Sequence, residues 1–405
     1  MNQRSDRVRV LYSFPHKLGA DRICYTAWQQ VNGLALAGAD VLVFPGVLHR
    51  PVSPRVKVKP TLALGKLRVS YKMMGKMRAL ALHDYLVARR IRKLAGQIDI
   101  IHLWPDAALQ TIKTAKELGI TTVLERPNTH TRFAYEVVKK EAERLGVTLP
   151  RRDEYFYRED VLAKEEKEFG LTDYLLCPSE FVAKTFVEQG IPRQKLLRHQ
   201  YGYDEKVYHP DTRPRDANRG FNVLFVGVCA VRKGVHFALE AWLKSSAHRD
   251  GSFMIAGEFL PAYAERLSSM LSHPSVRVLG HRNDVPELMR SSDVLVLPSL
   301  EEGFPLVVAE AMGSGCVALV SDSCNELCQH MGNGLVHHAG DVEALSEHFT
   351  MLHQNRDLLE RMRRNTLRAA PNYTWQAAGV VLLNAYREAL NRQNRFHGSP
   401  VSVQT

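Results

Sequence analysis

The sequence predicts an α/β chain of two doubly wound parallel-sheet domains facing a central cleft, and three observations support that prediction. Short apolar, strand-like runs alternate with longer amphipathic segments, which implies parallel sheets covered by helices on both faces. The pattern opens twice, at residues 7–14 and again at 221–227. Between the halves, residues 203–220 are polar and contain Pro210 and Pro214, as a linker would. The expected division is 1–203 for the first domain, 204–220 for the linker, 221–373 for the second domain, 374–395 for a terminal helix and 396–405 for a flexible tail. With 405 residues, 45% of them hydrophobic, each half can bury its own core.

In the first half the predicted strands are 7–14, 40–44, 98–103, 121–125 and 173–178, runs rich in Val, Ile, Leu or Phe of the kind buried on both faces. The first strand-to-helix turn, 13–20, contains Gly19 and lacks G-x-G-x-x-G, which disfavours a nicotinamide dehydrogenase. Gly19 either lets an acceptor approach or simply opens a helix. His102 follows the apolar run 98–101 and should face the cleft, while His130 closes the turn 126–130. Each histidine could hydrogen-bond a sugar hydroxyl or serve the structure, and both readings stand.

The second half is more informative. Its predicted strands are 221–227, 252–256, 276–279, 293–298 and 316–321. After the first comes Gly227, Val228, Cys229, Ala230, Val231, Arg232, Lys233, Gly234 and then an amphipathic helix over 235–244. Lys supplies a point charge and Arg a fork of donors, both suited to phosphate oxygens; a solvated basic loop is the plain alternative. After the strand 293–298 comes Ser299, Leu300, Glu301, Glu302, Gly303, Phe304, Pro305, where Gly303 permits a tight turn and Pro305 suits a helix start. The first N–H groups of such a helix form an anion site. Glu310 then interrupts an otherwise apolar helix and must find donors, either ligand hydroxyls or a neighbouring arginine. In a doubly wound sheet such turns converge beyond the carboxyl ends of the strands.

In this order the residues resemble family 4 retaining glycosyltransferases of the GT-B fold, also described as glycosyl transferases group 1. The likeness rests on Glu302 and Glu310 with seven residues between them, the Gly227 to Lys233-Gly234 turn, the strand-end His102, and the tail Tyr373-Thr374-Trp375. It spans nearly the whole chain and is strongest over residues 222–375. The resemblance implies two Rossmann-like domains, with the last helix, about 374–394, crossing back to the first. It implies a UDP- or GDP-linked sugar as donor, retention of anomeric configuration, and a glycan, lipid-linked or small-molecule acceptor. Lys233, Arg232, Glu302 and His102 would serve the reaction. Gly227, Gly234, Arg282, Gly303, Phe304, Pro305, Leu306 and Glu310 would border the donor, with Glu310 on the ribose hydroxyls, and Gly19 and His130 would lie on the acceptor side. The chain departs from the family pattern at Val228, where Arg is common, at Trp104, where a second His is common, and at Gly19, which stands alone where a pair is usual. Two further readings remain: another GT-B enzyme such as a sugar-nucleotide epimerase or a phosphorylase, and a non-catalytic binder of anionic surfaces.

No Asp-x-Asp occurs in the chain, so no metal-bridged diphosphate site and no required metal cofactor are expected. The six cysteines include no C-x-x-C pair, and Cys324, Cys328, His330, His337 and His338 match no zinc spacing. Reduced thiols and the lack of a membrane-span-length apolar run suggest a cytoplasmic protein. The formal net charge of +11 resides entirely between Arg50 and Ile98, where thirteen Lys or Arg face a single acid, Asp84. Met77, Leu80, Val87, Ile91 and Leu94 recur there at helical spacing. This segment is either a helix with a solvated basic back or a contact for anionic lipid at the inner membrane face, a phosphorylated acceptor or a polyanion. With few aromatics in the segment and no recognised motif, nucleic acid is not an expected partner.

Overall fold

The computed structural model describes residues 7–64, 67–68, 74–151, 153–211 and 220–397. The first half contains β1 (Arg9–Leu18), α1 (Ile23–Leu36), β2 (Asp40–Leu48), β3 (Lys57–Val58), a small hairpin of β4 (Ala63–Leu64) and β5 (Leu67–Arg68), and α2 (Lys76–Ile91). It continues with β6 (Ile100–Leu103), α3 (Leu109–Glu117), β7 (Thr121–Glu125), α4 (Thr131–Leu145), α5 (Glu159–Leu171), β8 (Tyr174–Cys177), α6 (Glu180–Glu188) and β9 (Leu196–Arg198). The second half contains β10 (Asn222–Val226), α7 (Val235–Lys244), β11 (Ser252–Ala256), α8 (Pro261–Arg266), α9 (Ser268–Leu271), β12 (Val276–Gly280), α10 (Val285–Ser291) and β13 (Val294–Leu297). After these come α11 (Leu306–Ser314), β14 (Val317–Ser321), β15 (Gly334–His337), α12 (Val342–Gln354), α13 (Arg356–Ala369) and α14 (Trp375–His397).

Two parallel sheets result among the described residues, ordered β3-β2-β1-β6-β7-β8-β9 and β12-β11-β10-β13-β14-β15. Each sheet reverses its winding once, between β1 and β6 and between β10 and β13. At those points the flanking connections leave to opposite faces and a crevice opens at the carboxyl ends of the strands. The central strands β6, β7, β8, β13 and β14 are buried throughout, as their apolar runs require, whereas the edge strand β12 exposes Arg277 and Val278.

Three expectations change. β1 continues to Leu18, with a register break between Phe14 and Lys17, so most of the turn expected at 13–20 is strand. Pro15 cannot donate to a ladder, and the irregularity accommodates it. β3, β9 and β15 were not anticipated, because runs of two to four residues are too short to show a period. The last helix reaches His397, past the expected end at 395, while 398–405 and the central linker residues 212–219 lie outside the described residues.

The last helix does pack on the first domain. Leu382, Leu383, Ala385, Tyr386 and Ala389 share one core with Val10, Tyr12, Leu34 and Val41. A Cβ on Gly379 would lie 2.5 Å from the backbone of Gly33 in α1, so only a glycine pair lets the two helices come this close. The two chain crossings run side by side: the Tyr203 N–H donates to the Tyr373 carbonyl at 2.9 Å, and the Trp375 N–H donates to the Tyr203 carbonyl at 3.2 Å.

The basic helix α2 buries Leu80, Val87 and Ile91 as its spacing predicts, but Met77 is exposed. His83 and Asp84 take places on the buried face instead. His83 hydrogen-bonds the hydroxyls of Ser13 at 2.9 Å and Thr61 at 2.6 Å. Asp84 accepts from the N–H groups of Gln110 at 2.8 Å and Thr111 at 2.9 Å, satisfying the start of α3. Of the basic segment, Gly65, Lys66 and residues 69–73, Lys72 among them, lie outside the described residues.

Candidate active site

The two turns singled out in the second half meet at the β10/β13 switch point. After β10, Val231–Lys233 forms a single 3-10 turn, and Gly234 takes a left-handed conformation (φ 67°) before α7 begins. A Cβ at Gly234 would lie 2.1 Å from the Pro298 carbonyl oxygen, so this glycine is required both by its backbone angle and by the loop beside it. The Leu300 N–H donates to the Arg232 carbonyl at 2.8 Å, tying the turns together through their backbones.

The side chains complete the junction. The Lys233 ammonium donates to the Glu302 carboxylate, and Arg232 Nη1 reaches the same Oε2 at 3.3 Å. Arg232 Nη1 also lies 3.1 Å from Glu301 Oε1 and donates to the Glu301 carbonyl at 3.1 Å. Burial pushes the Glu302 carboxyl up, but Lys233 and Arg232 outweigh it and hold the group below its ordinary value. Burial likewise opposes the Arg232 charge, yet Glu302, Tyr155 and Glu301 raise its pKa. Glu302 and Arg232 therefore stay ionised, each compensated by an opposite charge in contact with it.

Pro305 stands at the N-cap of α11, one residue before the helix, with Leu306 as its first residue. Burial pushes the carboxyl of Glu310 up to about 8, partly offset by a hydrogen bond from Tyr208. Gly227 holds its loop to β11, its N–H donating to the Ala256 carbonyl at 3.0 Å. Arg282, at the end of β12, is ion-paired with Asp284 at 2.5 Å and half exposed.

The first domain touches this junction directly. A Cβ on Gly303 would lie 1.6 Å from the Pro127 carbonyl oxygen, so the carboxylate-bearing turn rests against the loop after β7. Thr129 from that loop donates to Glu301 Oε2 at 2.7 Å, and Tyr155 donates to Glu301 Oε1 at 2.8 Å. The Phe304 ring is buried edge-on against Tyr201, with centroids 5.7 Å apart, so only its backbone is left for a ligand. Glu301, Thr129, Tyr155 and Tyr208 were not singled out in the sequence. The doubled Glu301-Glu302 was a signal for the first; nothing local marked the other three.

The acceptor-side expectations need correction. His102 lies at the end of β6 but does not face the cleft: it is fully buried, its ring stacked on Tyr12 at 4.2 Å, and Nδ1 hydrogen-bonds the Tyr386 hydroxyl at 2.6 Å. Burial lowers its pKa to about 3 despite Glu125 Oε2 at 3.3 Å. The terminal helix, by delivering Tyr386, closes over the face that the sequence left open. His130 is the N-cap of α4, its Nδ1 accepting from the Arg132 N–H at 3.2 Å, with its ring packed against Phe169 and Phe186. Burial lowers its pKa to about 4. At Gly19 a Cβ would lie 2.4 Å from Arg50 Cβ, so the space expected for an acceptor holds Arg50, whose guanidinium lies 5.2 Å from the rings of Tyr25 and Trp28. Among the described residues no group of three His, Cys, Asp or Glu is placed to hold a metal ion.

Comparison with known proteins agrees with this architecture. Residues 220–355 match the family described as glycosyl transferases group 1. One curated relative, the N,N'-diacetylbacillosaminyl-diphospho-undecaprenol alpha-1,3-N-acetylgalactosaminyltransferase of Campylobacter jejuni, is 34% identical over 105 residues, which is 25% of this chain and 28% of that protein. The D-inositol 3-phosphate glycosyltransferase of Paenarthrobacter aurescens is 29% identical over 212 residues, 47% of this chain and 51% of the relative. The chain thus spans about half or less of the length of these relatives. Among solved structures, sucrose-phosphate synthase from Thermosynechococcus elongatus superposes with a TM-score of 0.66 at 17% identity, covering 97% of this chain and all (100%) of the other. The Anabaena HepE protein in complex with UDP superposes with a TM-score of 0.63 at 15% identity, covering 94% and 100%. At such identities the likeness speaks for the fold, and the fold is GT-B.

Proposed function

We propose that the protein is a retaining glycosyltransferase that moves a sugar from a UDP- or GDP-sugar to the hydroxyl of a glycan or lipid-linked acceptor in glycolipid or polysaccharide synthesis. The observation that carries this reading is the meeting of Lys233 and Arg232 with the Glu302 turn at the β10/β13 switch point. A departing nucleoside diphosphate gathers negative charge on its oxygens, and preorganised cations beside a helix start would stabilise that charge as it grows. Lys233, Arg232 and the first turn of α11 take this role; Glu302 and the Gly303–Phe304 backbone border the sugar. Two relatives' names support the direction: one includes a diphospho-undecaprenol-linked sugar, the other an inositol phosphate. The Anabaena structure contains UDP. Retention comes from the family resemblance. No metal is required in this reading, because the chain lacks Asp-x-Asp.

Glu310 supplies the test. Its carboxyl is held at about 8, so it is largely protonated at neutral pH, whereas ribose hydroxyls donate best to a carboxylate. Nucleotide binding then releases a proton, and UDP or GDP affinity rises as pH increases from 6 to 8, by up to about tenfold per unit, before levelling off. Without ligand the sign is opposite: a carboxyl raised from 4.5 to about 8 contributes stability that is present below its unfolded value and lost as pH rises through 8. UDP or GDP should raise the thermal midpoint, and Glu310→Ala should abolish that shift. If neither nucleotide moves the midpoint, the donor assignment fails. Product analysis without acceptor separates an epimerase, since only that enzyme interconverts the donor.

Peripheral contact with the inner face of a membrane belongs to the same proposal and places the protein in the cytoplasm. On α2, Arg78, Tyr85 and Arg89 recur at intervals of seven and four residues and are exposed together. Sedimentation with phosphatidylglycerol vesicles should be strong at low salt and about tenfold or more weaker for Arg78→Glu with Arg89→Glu. Equal sedimentation of both proteins would count against this contact.

A further inference from the structure

We propose that a cavity of about 610 Å³ between α4 and residues 147–149 and 155–157 is a subsite for the apolar chain of a lipid-linked acceptor. The proposal rests on the glycosyltransferase reading and gives its acceptor side a location that neither histidine supplied. Ala142, Val147 and Leu149 line the cavity together with the rings of Tyr135, Tyr155 and Tyr157. Two of the tyrosine hydroxyls are already engaged elsewhere: Tyr155 donates to Glu301 at 2.8 Å and Tyr157 donates to Glu159. The rings therefore present hydrocarbon to the space. The charged lining residues are Glu136, Lys139 and Glu143; all three are exposed, and Lys139 and Glu143 pair with each other at 3.8 Å, which places the charges at the mouth. A sugar or a diphosphate would lose its water inside and gain little in return, whereas an aliphatic chain gains from leaving water.

The size falls within the roughly 300–1,000 Å³ of small-molecule sites. Position selects an acceptor over an unrelated apolar ligand. The Tyr155 ring that lines the cavity also has the Arg232 guanidinium 5.1 Å from its centroid, and its hydroxyl binds the donor-turn residue Glu301. An occupant is therefore separated from the proposed diphosphate site by one side chain. The segment itself bridges the domains, since Ala142, Val147 and Leu149 pack with the core of the second domain.

The test uses the full chain and farnesyl phosphate as probe, with geranyl phosphate and inorganic phosphate as controls, followed by calorimetry. Farnesyl phosphate should bind about tenfold or more tightly than geranyl phosphate, and inorganic phosphate should not displace it. Thr148→Trp, an exposed substitution at the mouth, and Leu149→Gln, which places an amide on the wall, should each weaken farnesyl phosphate about tenfold or more. Both should retain the nucleotide-dependent thermal shift, which reports that the fold and donor site persist. Farnesyl phosphate binding that is equal in the wild type and both variants, or that inorganic phosphate matches, overturns the subsite. Loss of the nucleotide shift in the wild type overturns the donor reading instead, so the two failures are distinct.

Discussion

Lys233→Ala is expected to reduce sugar transfer by about a hundredfold to a thousandfold, mainly in kcat, while the protein stays folded. The size follows from the loss of one preorganised charge at the position where negative charge develops, an effect of about 3–4 kcal/mol in comparable sites. The substitution also changes the ground state. Lys233 and Arg232 share Glu302, and without Lys233 the carboxylate keeps Arg232 at 3.3 Å and the Ser299 hydroxyl at 3.4 Å, so no buried charge is left alone. For that reason the thermal midpoint should move little. Lys233→Arg should recover only part of the rate, since a fork cannot replace a point charge in the same space. The measurement is nucleotide release across UDP- and GDP-sugars, with and without EDTA. Unchanged turnover in Lys233→Ala would remove the cationic turn from the reaction, and strong inhibition by EDTA would overturn the metal-free proposal.

The second large effect is on stability. Glu125 is fully buried at the end of β7 and accepts from Tyr201 at 2.9 Å and Gln30 Nε2 at 3.0 Å, with His199 Nε2 at 2.8 Å. Burial raises its pKa, but the nearby His199 and His102, together with Gln30, outweigh burial and hold it below its ordinary value. Glu125→Ala would leave Tyr201, Gln30 and His199 facing each other without an acceptor. Removing one member of such a buried charged cluster costs about 3–5 kcal/mol, which should lower Tm by on the order of 10 °C. Glu125→Gln keeps the shape and one acceptor and should cost less. The sign with pH is definite: a depressed carboxyl contributes stability present above its unfolded value and lost as pH falls through the folded one. The wild type should therefore lose stability below the usual carboxylate range, and Glu125→Gln should show a shallower acid transition. A Glu125→Ala protein with the wild-type midpoint would show that the cluster carries no net stability.

The same cluster connects the halves of the molecule. Tyr201, held by Glu125, packs edge-on against Phe304 in the Glu302 turn and lies 6.3 Å from Trp375 at the start of the last helix. Stability of the first-domain core and placement of the Glu302 turn are thus joined through one aromatic ring. Loss of Glu125 should consequently reduce activity at temperatures well below Tm.

Much of the second half could be read from residue order, because its evidence is local. The run at Val294–Leu297, the turn glycine Gly303, Pro305 before the helix, and the cations before Gly234 each declare their conformation within a few residues. Strand periodicity and turn chemistry act over such short ranges, so the alternation of elements was legible, as was the α7 span of Val235–Lys244. The polar sites of the first half were not legible, because the groups that decide them come from far along the chain. His102 looked like a cleft residue until Tyr386, 284 positions later, covered it. His130 could have served a sugar hydroxyl or the structure, and its ring turned inward to cap α4 between Phe169 and Phe186. Beyond Arg232, Glu301 acquired its partners when Thr129 and Tyr155 arrived from the other domain. Residue order determined two wound sheets and a donor-type junction, since backbone preference and apolar period are properties of neighbours. Tertiary packing alone decided which polar groups stay open and which are buried, since burial and pairing depend on whatever distant segment comes to lie against them.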